Sequence, residues 1–137
     1  MKRRLAALGM TVASIGALIG FAPAAGAADG PCTNSKKVQA GGYDVWVPAT
    51  AGGSINCVLR QGDPYASAIG SLQTALRFCN GHNSLSSDGY YGPLTASAVR
   101  LTQEFARIPV DGVYGPQTRA AMFWVVNDAS RTLCVKF

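Results

Sequence analysis

Two carboxylates sit in matching surroundings. Asp88 opens Asp88-Gly89-Tyr90-Tyr91-Gly92-Pro93-Leu94-Thr95, and Asp111 opens Asp111-Gly112-Val113-Tyr114-Gly115-Pro116-Gln117-Thr118. Glycan hydrolysis needs a carboxylate pair held about 5–9 Å apart. An Asp-Gly step, however, also builds a turn without any ligand, because Gly takes positive φ cheaply and Asp bonds to its own backbone. Turn chemistry therefore accounts for both residues. Glu104 is the sole glutamate, and Arg100 one helical turn earlier makes it half of a solvated ion pair. The single histidine, His82, follows Gly81 and reads as an exposed loop residue. Cys32, Cys57, Cys79 and Cys134 show no CxxC spacing, so a zinc site has little support. An even cysteine count in a small exported chain reads as two disulfides, with three pairings open. The pairing expected is Cys57–Cys79 with Cys32–Cys134, the first tying a helix end to the segment before it and the second joining the termini. Oxidised cysteines leave no Cys–His nucleophile. The residues thus point to a protein that is not an enzyme, with no catalytic residue, metal or cofactor.

Export rests on the first residues. Lys2, Arg3 and Arg4 precede an uncharged apolar run from Leu5 to Phe21, and Ala25-Gly26-Ala27 is an A-x-A cleavage site. Residues 1–28 are expected to be a secretory signal peptide rather than a membrane anchor. The formal charge of +5 includes those three cations, and without them it falls to about +2. The remaining basic residues are scattered and do not interleave with aromatics, which argues against nucleic acid as a partner. No membrane association is expected after cleavage, and a monomer is expected.

The elements that must position these residues follow in order. Residues 29–61 read as an extended N-terminal arm carrying one short strand, Tyr43-Asp44-Val45-Trp46-Val47, which Pro48 ends. Trp46 is expected to pack the arm on a helical body rather than to stack on a sugar. Asp63-Pro64 suits a helix start, and Ile69, Leu72, Leu76 and Cys79 share one helical face up to a stop at Asn80-Gly81. Gly70 within that helix lowers its propensity but permits a close neighbour. The duplicated stretch recurs at a constant offset, from 88 to 111, as one supersecondary unit used twice. Each Gly-Pro opens a helix, with Thr95 and Thr118 in the first turn. The inward faces expected are Ala98, Leu101 and Phe105 in the second helix and Ala121, Trp124 and Val125 in the third.

These motifs together resemble the peptidoglycan-binding domain type 1 family. The residues that carry the resemblance are Leu72-Gln73…Leu76, the two Asp-Gly…Gly…Thr stretches, Ala98-Val99 and Gln103-Glu104-Phe105, from about Gly62 to Val126. The Gln precedes the Phe here, which departs from the family's usual order. The resemblance implies a mainly α fold, a compact three-helix bundle, here with an N-terminal extended arm and disulfide staples, over residues 62–137 including a C-terminal tail. It also implies a secreted or wall-associated, non-catalytic protein whose partner is peptidoglycan, through glycan strand or stem peptide. Such modules usually accompany a hydrolase, whereas here the module is expected to stand without one. The expected ligand-binding residues are Asp88, Tyr90, Tyr91, Asp111, Tyr114, Gln117 and Arg119, with Tyr91 and Tyr114 equally explained as plugs of the bundle. The alternative is a secreted interaction or regulatory protein that binds another extracellular protein, such as a hydrolase. A minimal wall hydrolase stands third.

Overall fold

The computed structural model describes residues 27–128 and 131–137. Apart from Ala27 and Ala28, the expected signal peptide lies outside the described residues. The elements run β1 (Asn34–Ala40), β2 (Tyr43–Ala49), α1 (Ala66–Cys79), α2 (Pro93–Ala106), α3 (Pro116–Ala121), β3 (Trp124–Asp128) and β4 (Arg131–Val135). The strands form one antiparallel sheet in the order β1-β2-β3-β4. The mainly α three-helix bundle is therefore corrected to an α+β fold, in which three helices lie between two hairpins that share a sheet.

The N-terminal arm is a full hairpin. β1 and β2 pair from Asn34↔Ala49 to Ala40↔Tyr43. Gly41 and Gly42 both take positive φ in the connecting turn, at 56° and 84°. Two left-handed residues match the twist of the flanking strands, and only glycine enters that region without a Cβ penalty. The second hairpin joins the first through Val45↔Val126, and its own strands pair from Trp124↔Val135 to Asp128↔Arg131. By strand alternation Val45, Val47, Trp124 and Val126 share one face, and all four are buried. The expected third-helix face thus does not exist beyond Ala121. Met122 turns to extended backbone, and the aromatic and β-branched run Trp124-Val125-Val126 finds a partner strand in β2.

α1 buries Ile69, Leu72 and Leu76 as its periodicity predicts. Each such side chain removed from water contributes roughly 1.5–3 kcal/mol before chain entropy is counted. Its start is two residues later than Asp63-Pro64 suggested. The Asp63 carboxylate accepts the Arg60 N–H at 2.8 Å and closes a tight turn before the helix. α2 opens at Pro93 as expected, but it buries Thr95, Ala96, Ala98, Val99, Thr102 and Gln103. Leu101 and Phe105 are exposed, which corrects the predicted face. The stripe turned inward because the core accepts a glutamine. The Arg100–Glu104 ion pair is also absent among the described residues, and the Arg100 guanidinium lies against Gly112 instead.

The cysteines pair as Cys32–Cys57 and Cys79–Cys134, correcting the expected connectivity. Backbone bonds from Cys32 N to Val58 O (2.9 Å) and from Val58 N to Gly30 O (3.0 Å) run the chain start beside residues 57–58. This leaves the Cα atoms of Cys32 and Cys57 5.0 Å apart. β4 carries Cys134 to the C-terminal end of α1.

Candidate functional site

The duplicated loops are built by two buried glutamines. Gln73 Nε2 donates to Asp88 Oδ1 (2.9 Å), Tyr90 O (3.0 Å) and Thr95 Oγ1 (3.0 Å), while its Oε1 accepts the Gly89 N–H (2.8 Å). Gln103 repeats the pattern, donating to Asp111 Oδ1 (2.8 Å), Val113 O (3.0 Å) and Thr118 Oγ1 (3.1 Å). Its Oε1 accepts the N–H groups of Asp111 and Gly112, both at 3.0 Å. In each loop the aspartate also accepts the N–H two residues on, from Tyr90 or Val113. Gly89 and Gly112 hold φ near +74° and +73°. The Tyr90 N–H and then Gln73 keep the Asp88 carboxyl below its usual range. Each buried glutamine thus fastens a loop onto the helix that carries it, and the two networks share no member.

The predicted ligand-binding residues do not converge on one site: Asp88 with Tyr90 lines a cleft of about 110 Å³, and Asp111 with Gln117 lines another of about 310 Å³. Tyr91 and Tyr114 are wholly buried, so neither ring is presented to a ligand. Tyr91 donates to Gly112 O at 2.8 Å and ties the first loop to the second. Tyr114 meets Trp124 edge-on, with centroids 6.2 Å apart. Burial pushes both phenol pKa values upward. Asp88 and Asp111 each spend one carboxylate oxygen inside their own loop. Arg119 bonds to Ile55 O and to Asn56 Oδ1 (3.0 Å), and its guanidinium lies 5.5 Å from the Phe137 ring centroid. It joins α3 to the arm and the tail. Tyr90 is 62% exposed, and its ring lies over Gly92, leaving no room for a Cβ there. Gln117 is exposed and reaches a groove at one end of the helical part.

That groove, about 640 Å³, runs between the C-terminal ends of α1 and α2, the outer side of α3 and the chain end. Phe105, Phe123, Ile108 and Ala121 supply apolar walls, and Asn80, Thr102, Gln117 and Lys136 supply polar groups. Among the described residues no carboxylate lines it. Phe105 is 87% exposed. The backbone of Phe123 is clamped by Asn80, whose Nδ2 donates to Phe123 O (2.8 Å) and whose Oδ1 accepts Phe123 N–H (3.0 Å). Lys136 holds its ammonium 5.3 Å from the Phe123 ring centroid, and the Cys79–Cys134 bridge fixes the strand that delivers it. His82 stands behind one wall. Its Nε2 lies 3.0 Å from Thr102 Oγ1, which itself donates to Ala98 O, so the imidazole is the donor. Partial burial lowers the His82 pKa, and the exposed loop histidine expected from sequence is corrected to a half-buried tether. Chemically the groove can hold an apolar or sugar surface and pair a carboxylate with one cation.

Residues 66–122 match the family model of the putative peptidoglycan binding domain. Neither the curated proteins nor the solved structures gave a match. The matched segment starts with α1 and ends one residue past α3, so it contains both glutamine-fastened loops and most of the groove. The two hairpins and both disulfide partners Cys32–Cys57 lie outside it. Peptidoglycan binding is thus the activity to which the family points. Of the residues expected to bind a ligand, Gln117 lines this groove; Phe105, Phe123, Asn80, Ile108 and Lys136 line it without having been among them. A readable signal existed for Phe105. With Thr95 and Gln103 taken as loop fasteners on the buried face, residue 105 falls outside that stripe.

Proposed function

We propose that this is a non-catalytic, exported protein that binds cell-wall peptidoglycan in the groove bounded by Phe105, Phe123 and Lys136. The family match over residues 66–122 carries the reading. The groove supports it with exposed aromatic surface beside amides and a single cation, the side-chain set that grips a sugar face or an aliphatic stem while pairing a carboxylate. Two disulfides in so small a chain agree with life outside the cytoplasm. The aspartates of the repeat are turn builders in this reading, so Asp88 and Asp111 do no wall chemistry. Purified, oxidised protein is expected to co-sediment with peptidoglycan and not with cellulose. Because Phe105 is almost fully exposed, Phe105→Ser should leave the fold intact, and together with Lys136→Glu it should weaken wall binding at least tenfold, about 1.4 kcal/mol. Protein left in the supernatant at high micromolar concentration would overturn the proposal. The exposure of Phe105 also suits a protein partner such as a secreted hydrolase. Recovery of one partner from culture fluid, sensitive to Phe105→Ser and without wall binding, would favour that second reading.

A further inference from the structure

A second cleft, about 260 Å³, opens on the other side of α1, where the helix crosses the sheet. Ser35 of β1, Trp46 of β2 and Val125 of β3 form one wall, and Gly70, Ser71, Thr74 and Ala75 of α1 form the other. Its sheet residues lie outside the family segment, so the family match says nothing of it.

Three observations bear on the cleft. Trp46 is 44% exposed although Val45 and Val47 on either side of it are fully buried. The packing role expected of Trp46 is thus only half fulfilled, and its side chain lines the cleft. The second observation is Gly70. A glycine inside a helix is destabilising relative to alanine. It was expected to allow a close neighbour, but a Cβ built there meets nothing within 4 Å. Nothing in the protein's own packing requires glycine at this position. What the missing side chain does provide is open floor opposite Trp46. The third observation is the rim. Ser71 and Thr74 donate their hydroxyl hydrogens to Ala68 O (2.9 Å) and Gly70 O (2.8 Å); the Ser71 oxygen is left as an acceptor, and Thr74 Oγ1 shares its acceptor capacity with the Ser87 hydroxyl at 3.3 Å. Lys37, cross-strand from Trp46, holds its ammonium 5.8 Å from the indole centroid. Its pairing with Asp44 at 3.7 Å is solvent-exposed and exchanges readily with another carboxylate.

An indole beside an open floor, hydroxyl acceptors on the rim and one exchangeable cation suit a pyranose. The sugar's C–H face packs on the ring, its hydroxyl and amide hydrogens meet the acceptors, and a carboxylate on the strand reaches Lys37. We propose that this cleft is a second subsite, which stacks one ring of an amino-sugar glycan strand on Trp46. The inference rests on the peptidoglycan reading above but uses a different surface. Two weak sites on one rigid body would engage neighbouring parts of a polymer, and binding at one raises the effective concentration at the other.

The test follows the two indole N–H signals by NMR while the full protein is titrated with a tetramer of β-1,4-linked N-acetylglucosamine, which carries no stem peptide. The Trp46 signal is expected to shift with a dissociation constant on the order of 1 mM. The Trp124 signal, held to Arg119 O at 3.1 Å, should stay in place. Gly70→Leu fills the cleft with a residue that favours helix, so it should keep the fold and weaken the response at least tenfold. Trp46→Ala removes that reporter, so its binding is read from the Gly70 and Ser71 amide signals, which shift in the wild type and should no longer do so. Wall co-sedimentation is measured in parallel. Wall binding with no Trp46 shift up to about 10 mM tetramer, or a Gly70→Leu protein that responds like wild type, overturns the subsite alone. Loss of wall binding by the wild-type protein overturns the peptidoglycan reading and the subsite with it.

Discussion

Gln103 offers a direct test of how the repeat is held. Gln103→Leu keeps the side-chain volume close and removes every polar contact of a residue that is 2% exposed. Two N–H hydrogens then no longer reach Asp111, Val113 and Thr118, and two backbone N–H groups lose their acceptor. Asp111 is exposed, so water replaces its partners. Gly112 is buried, and its N–H is left unsatisfied at about 1–3 kcal/mol. Thr118 keeps its bond to Val113 O, at 3.4 Å, but loses the donor to its oxygen. With about 1 kcal/mol for each of two net bonds lost, the expected destabilisation is about 3–5 kcal/mol. That is a large share of the ~5–15 kcal/mol typical of a domain. Urea unfolding of the oxidised protein should show a lower midpoint with an unchanged m-value. Gln73→Leu should cost less, about 2–3 kcal/mol, because it strands only the partly exposed Gly89 N–H. The two networks share no partner, so the double variant should be additive within about 0.5 kcal/mol. A loss below about 1 kcal/mol for Gln103→Leu would refute the reasoning.

Other outcomes follow from the same structure. Gly70→Ala should raise stability by about 1 kcal/mol in the same urea assay, since its methyl group enters open space; a loss of stability would show that the helix there needs the glycine. Non-reducing peptide mapping should recover Cys32–Cys57 and Cys79–Cys134, and Cys79→Ser with Cys134→Ser should cost about 2–4 kcal/mol; a Cys57–Cys79 peptide would contradict the fold. The folded His82 pKa lies below its unfolded value near 6.5, so the unfolded chain binds the proton better. This contribution is complete above pH 6.5 and declines as pH falls from there toward the folded pKa. His82→Gln should flatten the stability profile in that window, and an unchanged slope would discount the effect.

Much of the helical part could be read from residue types. Asp-Gly, Gly-Pro and the first-turn threonines specify local backbone geometry that is indifferent to the rest of the chain. α1 was legible for a similar reason, since Ile69, Leu72 and Leu76 follow one period without a polar interruption. The sheet was not, because pairing is a long-range event. Trp124-Val125-Val126 suits a helix or a strand, and only β2 on the far side of the chain decides between them. Gly41-Gly42 did carry the hairpin signal, but the polar residues of β1 hid a partner strand for Tyr43–Ala49. The face of α2 misled because apolar residues were assumed to point inward, whereas Gln103 lies there and leaves Phe105 in solvent. The cysteine pairing depended on that same unread sheet.

The two bridges also decide how the molecule carries a load. Tension applied at the two ends of the described chain passes from Cys32 directly to Cys57, and from Cys79 directly to Cys134. Both hairpin strands of the arm, both repeat loops, α2, α3 and β3 then lie on slack branches. Apart from the short ends before Cys32 and after Cys134, the stretch from Cys57 to Cys79, which is essentially α1 and its approach, alone stands in series with the pull. At about 3.5 Å per residue this link yields at most some 75 Å before the covalent path is taut. Pulled by its two ends, the protein yields first along α1, and the branches behind the bridges are spared as long as the bridges stay oxidised.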